Sequence, residues 1–130
     1  MKLVKSLSLL AVMLGVCQVL ATDSLRLDLN KYTAGEYTAE KTFKVNAPFD
    51  LVVVPEKGAE AGYWGWVSYS ENLMPTTTKT TKSLSKKFAD SSIISFNAET
   101  PGEAWVKIQH YRTDGRPLLG SEKTFHFNIK

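Results

Sequence analysis

The sequence predicts an all-β protein, an immunoglobulin-like antiparallel β-sandwich of about seven strands. Two observations support this fold class. Apolar residues recur at every second position from Leu25 onward, which is the period of a strand with one buried face. Gly, Pro, Asn or Asp residues interrupt this alternation about every ten residues, as turns between short strands do. No segment has an apolar pattern of helical period that is long enough for a stable helix.

Each predicted strand has its own pattern. The first two alternate apolar and polar residues, and the third is an almost unbroken apolar run that ends at Pro55. The fourth is rich in aromatic and β-branched residues, and the fifth is a shorter apolar run. The last two alternate again, with Phe125, Phe127 and Ile129 on one face of the final strand. The seven segments are 25–29, 42–45, 49–54, 63–69, 93–96, 104–109 and 125–129.

The first 21 residues have the pattern of a secretory signal peptide. Lys2 and Lys5 precede an apolar run from 7 to 16, and small or aliphatic residues follow at 19–21. The run is too short to cross a bilayer, so we expect no integral membrane span. The sequence therefore predicts one domain, residues 22–130, secreted to an extracellular, periplasmic or lysosome-like compartment. We expect this domain to be a monomer.

The charge balance argues against a nucleic-acid partner. The whole chain has a net charge of +3, but two of its lysines lie in the leader, which leaves 14 basic and 13 acidic residues in 22–130. A nucleic-acid-binding domain would carry a clear excess of clustered Lys and Arg. The only cysteine, Cys17, also lies in the leader, so the domain has no disulfide, no thiol nucleophile and no thiolate metal ligand.

The sequence does not indicate an enzyme. His110 and His126 each lie inside a predicted strand, and neither has the spacing of a metal site. A Gly-x-Ser-x-Gly nucleophile motif and a glycine-rich phosphate loop are both absent. We therefore expect no catalytic residue, no metal and no organic cofactor.

Three connections and one aromatic strand are the candidate binding features. Loops 56–62 and 113–120 should be neighbours, because the corresponding connections of an immunoglobulin-like sandwich emerge at the same end. Segment 75–87, rich in Thr and Lys, is either a solvated loop or a basic surface that attracts an acidic partner. In the aromatic strand we expect Trp66 to fill the core, and Trp64, nearer the loop, to be the exposed contact.

Several of these segments resemble chagasin-type inhibitors of papain-like cysteine proteases. The resemblance spans about 42–129 and is clearest in the second half of the chain. It rests on Thr42-Phe43-Lys44-Val45, on 49–55 and the aromatic strand, and on Pro101 to Val106, Tyr111-Arg112, Arg116-Pro117, Gly120 and Phe125-His126-Phe127. It implies an immunoglobulin-like sandwich whose loops plug the active-site cleft of a papain-like cysteine protease without being cut.

The loops depart from the family pattern. The family's Asn-Pro-Thr-Thr-Gly motif is replaced by Gly58-Ala59-Glu60-Ala61-Gly62, so that only Gly62 is carried over, and the following tryptophan corresponds to Trp64 or Trp66. The middle loop lacks its glycines, and Leu118 takes the place of a tryptophan in the last loop. The resemblance implies a protease-binding set of Gly58, Ala59, Glu60, Ala61, Gly62, Trp64, Arg116, Pro117 and Leu118.

An alternative function remains open at this stage. The chain is also compatible with a secreted adhesion or carbohydrate-binding module that does not inhibit proteases. In that case Tyr63, Trp64 and Trp105 would present a flat aromatic surface, since Trp105 is predicted to point outward, opposite to Val106.

Overall fold

The computed structural model describes residues 23–32, 35–76, 81–82 and 91–130. The predicted signal peptide and most of the Thr/Lys-rich segment lie outside these residues. No helix occurs in the described ranges, and therefore none that could cross a membrane. The strands are β1 (Asp23–Asp28), β2 (Glu36–Phe43), β3 (Phe49–Val54), β4 (Gly62–Tyr69), β5 (Leu73–Pro75), β6 (Thr81–Lys82), β7 (Ser92–Ala98), β8 (Gly102–Arg112) and β9 (Lys123–Ile129).

These strands form two sheets, which confirms the immunoglobulin-like β-sandwich. The first sheet has the order β1-β3-β7-β5, with β6 paired to β7, and the second has the order β2-β9-β8-β4. All seven predicted segments lie in or next to strands. The segment 42–45 is displaced: β2 begins earlier, at Glu36, and Val45 forms only an isolated bridge with Ala98. Asn46 follows with a φ of 60°, a turn conformation that ends the extended chain.

Two of the strand pairs are parallel. β1 pairs with β3 and β2 pairs with β9 in parallel, whereas the other pairs are antiparallel. The chain reaches this arrangement by changing sheet between β1 and β2 and again between β2 and β3. Side-chain alternation has the same period in both directions, so the sequence pattern does not reveal these two pairings.

Aromatic side chains fill the space between the sheets. The rings of Phe43 and Phe49 stack with centroids 3.9 Å apart, and Phe127 packs edge-on against both. Burial of each such side chain contributes roughly 2–3 kcal/mol. Among the described residues, the buried cluster extends from Leu27 to Ile129.

Candidate functional site

Two loops meet at one end of the sandwich, as the sequence predicts. One is the β3–β4 loop (55–61) and the other is the β8–β9 loop (113–122). A cleft of about 310 Å³ separates them, with Ala59 and Glu60 on one side and Leu118 to Gly120 on the other. The last residue of β8 also joins the first loop, since Nε of Arg112 lies 2.9 Å from Oε2 of Glu60.

The β3–β4 loop is anchored by side chains from other strands. The amide of Ala59 donates to the carbonyl of Glu56 at 3.1 Å, which closes a turn in which Gly58 has a φ of 80°. Oδ1 of Asn30, from the β1–β2 connection, accepts a hydrogen bond from the Lys57 amide at 2.8 Å. The hydrogen bond to Asn30 and the Arg112–Glu60 ion pair together hold the loop on both of its sides.

Gly62 allows the loop to enter β4. Its φ is 150°, and a Cβ at this position would overlap the carbonyl oxygen of Tyr111 and lie 2.8 Å from Nε2 of His110. The backbones of β4 and β8 approach so closely here that only glycine fits. A Cβ on Gly58, by contrast, would meet no atom within 4 Å.

The β8–β9 loop is anchored mainly by its own backbone. The Arg112 amide donates to the Arg116 carbonyl, and the Leu118 amide donates to the His110 carbonyl, both at 2.8 Å. Pro117 forms a bridge with Tyr111, so the loop folds back along the end of β8. The fold-back leaves the side chain of Leu119 84% exposed, the most exposed large apolar side chain in the described part of the chain.

Eight of the nine predicted site residues, all except Trp64, lie on the two loops or at their ends. Gly58, Ala59, Glu60 and Ala61 are exposed on the β3–β4 loop, and Gly62 is half-buried at its end. Arg116 and Pro117 are exposed on the β8–β9 loop, whereas Leu118 is half-buried. The structure thus brings these residues to one end of the sandwich. The sequence prediction did not include Leu119, whose side chain is exposed where that of its neighbour Leu118 is half-buried.

The expected exposure of Trp64 is wrong, whereas Trp66, expected to fill the core, packs against it while half-buried. Trp64 is only 5% exposed, stacks on His110 with ring centroids 5.3 Å apart, and donates its backbone N–H to Oγ of Ser92 at 2.8 Å. Trp66 is half-buried and packs against the core from further along the strand. Trp64 is buried because β4 begins at Gly62 and pairs with β8 from that point, which places Trp64 opposite His110 inside the sandwich. Trp64 therefore lies beneath the loops, where it lines the cleft without presenting an exposed ring.

His110 lies beside Trp64, beneath the two loops. It is 5% exposed and lines the cleft between the loops together with a larger cleft of about 570 Å³ under the β3–β4 loop. Burial lowers the pKa of His110, which the charge of Glu60 partly opposes, so the neutral imidazole is favoured. His126 lies elsewhere, on the outer face of the second sheet, 3.5 Å from Glu36 and 3.4 Å from Glu103.

The described residues contain no group of three or more His, Cys, Asp or Glu side chains arranged to hold a metal ion. Oγ of Ser121 accepts a hydrogen bond from the backbone N–H of His110 at 3.0 Å and donates to the Leu118 carbonyl at 2.6 Å. The loop end exposes main chain at Gly58, the side chain of Leu119 and a few charged groups.

Comparison with known proteins gives only structural likenesses. No protein-family model and no curated protein sequence matches the chain. The chain is similar to PbICP-C, solved in complex with falcipain-2, with a TM-score of 0.48 and 14% identity over 83% of this chain and 98% of that one. It is also similar to the cysteine protease inhibitor EhICP2 from Entamoeba histolytica (TM-score 0.47, 12% identity, 83% and 96% covered) and to amebosin (0.48, 13%, 75% and 100%).

These structural neighbours are chagasin-type inhibitors. They are of the type that the sequence resembles, and each match covers most of both chains. TM-scores below 0.5 support no conclusion about function, which must rest on the loop residues themselves.

Proposed function

We propose that this chain inhibits papain-like cysteine proteases by placing the β3–β4 and β8–β9 loops in the active-site cleft. The observation that carries the proposal is the joining of these two loops into one anchored surface at the end of the sandwich. The Arg112–Glu60 ion pair and the hydrogen bond from Lys57 to Asn30 fix the first loop, and the backbone bonds of Leu118 and Arg112 fix the second.

Such a surface suits an inhibitor because it is ordered before it binds. A flexible segment loses conformational entropy on docking, whereas a loop already held in one conformation avoids most of that cost. Gly58 has no side chain, so a partner can approach its main chain closely. Leu119 supplies an apolar contact beside it, and Arg116, with 79% of its side chain exposed, supplies a charged flank.

We also propose that the chain acts after secretion, once residues 1–21 have been removed. The pattern of Lys2 and Lys5 followed by an apolar run supports this, and the buried cluster of the described residues begins only at Leu27. The proposed partner is a papain-like cysteine protease, bound by a monomeric inhibitor.

The alternative aromatic binding surface has lost its basis. Trp64 is buried between the sheets, whereas Tyr63 lies on the outer face and stacks with Tyr111 at a centroid distance of 6.2 Å. Trp105 is half-buried on the same outer face. Trp64 does not share the outer face of Tyr63 and Trp105, so the three side chains do not form the single flat surface predicted for a carbohydrate-binding module.

The test is a titration of purified residues 22–130 into papain and a cathepsin L-type enzyme, each calibrated for active-site concentration. Hydrolysis of a peptide substrate is followed. We expect reversible and stoichiometric loss of activity, with the chain recovered uncut. No inhibition by micromolar folded domain would contradict the proposal.

A further inference from the structure

A third segment lies at the same end of the sandwich as the two loops. β1 runs parallel to β3, so both strands end there, and Leu29, the residue after β1, donates its amide to the Val54 carbonyl at 3.0 Å. β2 runs parallel to β9 and begins at this end, where the Gly35 carbonyl accepts from the Thr124 amide at 2.7 Å. We call residues 29–32 the β1–β2 turn.

The β1–β2 turn is held in one conformation by its own hydrogen bonds. Oδ1 of Asp28 accepts from the backbone amide of Asn30 at 3.1 Å and from its side-chain amide at 2.8 Å. The Lys31 amide donates to the Asp28 carbonyl at 3.0 Å, which closes the turn. The hydrogen bond from the Asn30 side chain favours the ionised carboxylate and lowers the pKa of Asp28. The turn is therefore ordered before any partner binds.

An apolar base supports the turn from inside the sandwich. The ring of Tyr32 packs edge-on against the buried ring of Phe125, with centroids 5.3 Å apart. Leu29 is completely buried, with 0% of its surface exposed. Asn30 and Lys31 lie between these two anchors and are both exposed. The turn thus presents two exposed residues from a fixed base.

The turn is bonded directly to the β3–β4 loop. Asn30 uses both ends of its side-chain amide, since Nδ2 donates to Asp28 and Oδ1 accepts from the Lys57 amide at 2.8 Å. Lys57 lies near the start of the β3–β4 loop, whereas Glu60, near its end, lines the cleft that faces the β8–β9 loop. The β3–β4 loop is therefore flanked by the β1–β2 turn on one side and by the β8–β9 loop on the other.

The size of a protein–protein interface favours a docking surface wider than the two loops. These loops contain seven and ten residues. A stable interface takes about 20–30 residues from each partner. A protease that covers the β3–β4 loop therefore extends onto the surface around it, where the β1–β2 turn is the segment already bonded to that loop.

We propose that the β1–β2 turn is a third contact element for the protease, with Lys31 as its exposed contact residue. The inference rests on the proposed function and deepens it. The β3–β4 loop lies in the middle of the docking surface, and the turn meets the protease beside its active-site cleft. Because the turn is ordered in advance, this contact adds little loss of conformational entropy. Charged residues at such a margin affect the choice of partner more than the total affinity, so Lys31 discriminates among proteases.

A bulky group attached at residue 31 tests the contact. Residues 22–130 contain no cysteine, so Lys31→Cys can be labelled at a single site. The label is a bulky maleimide, whose thioether is stable toward the protease thiol, and excess reagent is removed before papain is added. Lys44→Cys with the same label is the matched control, because Lys44 is an exposed lysine between β2 and β3, at the opposite end of the sandwich. Neither label should change the unfolding temperature, since both sites are exposed.

Inhibition of papain by the two labelled domains is then compared with that of the wild type. We expect labelled Lys31→Cys to inhibit at least about tenfold more weakly, because a packed contact has no room for the added group. Labelled Lys44→Cys should inhibit as the wild type does. Equal inhibition constants for labelled Lys31→Cys and the wild type would overturn the inference and leave the proposed function intact. No inhibition by the wild type would remove the proposed function and this inference with it.

A second measurement does not depend on a loss of inhibition. A small environment-sensitive fluorophore replaces the bulky label, and papain is added until the labelled domain is saturated. The emission from Lys31→Cys should shift to the blue, because the contact removes water from around the fluorophore, whereas the emission from Lys44→Cys should not shift. Papain whose cleft is filled by a covalent peptide inhibitor should cause no shift at either site. An unchanged emission from Lys31→Cys at saturation would also overturn the inference.

Discussion

The β3–β4 and β8–β9 loops lie side by side but are held in different ways. The β3–β4 loop depends on side chains from elsewhere, namely Asn30 from the β1–β2 connection and Arg112 from β8. The β8–β9 loop depends on backbone hydrogen bonds of its own hairpin at Arg112 and Leu118. The first presents glycine and alanine, and the second presents the exposed side chain of Leu119.

The two loops therefore offer different groups to a partner. The β3–β4 loop offers its main chain at Gly58 and Ala59 and is braced from outside by Asn30 and Arg112. A hairpin fixed by its own backbone bonds leaves its side chains free for a partner. Substitutions in the two loops should therefore differ in whether they affect stability or affinity.

The largest effect is expected at the start of β4. Gly62→Ala should destabilise the domain by roughly 3 kcal/mol, because the new Cβ overlaps the Tyr111 carbonyl and crowds His110. Gly58→Ala is the matched control, with a positive φ but open space, and should cost about 1 kcal/mol. Urea unfolding measures both, and equal costs would contradict the close approach of β4 and β8.

Leu119 should affect affinity and not stability. Leu119→Ala should weaken protease inhibition roughly tenfold, since it removes an apolar contact that is fully accessible to a partner. Its unfolding midpoint should stay within experimental error of the wild type. Leu118→Ala is the control and should show the reverse, because Leu118 is half-buried against its own hairpin. Inhibition constants measure the affinity of each variant, and thermal unfolding measures its stability.

Removing the Arg112–Glu60 ion pair, which holds the β3–β4 loop, is expected to have a smaller effect. Both partners of the Arg112–Glu60 pair are about half exposed, so Arg112→Met should cost less than about 1 kcal/mol of stability. Its loss of affinity should be larger, because the loop is then free to leave the docking conformation. Lys41→Met breaks the Lys41–Asp23 pair (2.7 Å) at the other end of the sandwich. That control should not change inhibition.

The smallest effect concerns pH. Burial places the pKa of His110 below its usual value of 6.5, so the unfolded chain binds the proton more readily than the folded chain. This contribution to stability is complete above about pH 6.5 and is lost as the pH falls from there through the folded-state pKa. His110→Gln should flatten that part of the stability profile. Unfolding by urea across pH 5 to 8 tests this, and equal slopes for the wild type and His110→Gln would refute the claim.

Much of the fold could be predicted from alternation and turn residues. The inward phases of β1, β3, β8 and β9 follow directly from the apolar pattern, and the adjacency of the two loops follows from the order of connections in such a sandwich. Strand direction is not encoded in that pattern, which is why the parallel pairings of β1 with β3 and β2 with β9 were not foreseen.

The exposure of the site residues was less predictable, because it depends on where the strands begin and end. Trp64 was expected to be exposed because it lies near a loop, but two further residues of β4 precede it and pair with β8. Leu118 and Leu119 are adjacent, and only the fold-back of the hairpin decides which one is exposed. The β1–β2 turn could not have been assigned to the same end, because its place there follows from the two parallel pairings.

The most direct test of the central claim is to map the protease contact on the ¹⁵N-labelled domain by NMR. On addition of papain, the amide signals of the β3–β4 and β8–β9 loops should shift or broaden, and those at the opposite end, around Asn46 and Gly102, should not. Papain whose cleft is filled by a covalent peptide inhibitor should cause no change. Perturbations centred away from the two loops, or unaffected by filling the cleft, would contradict the account.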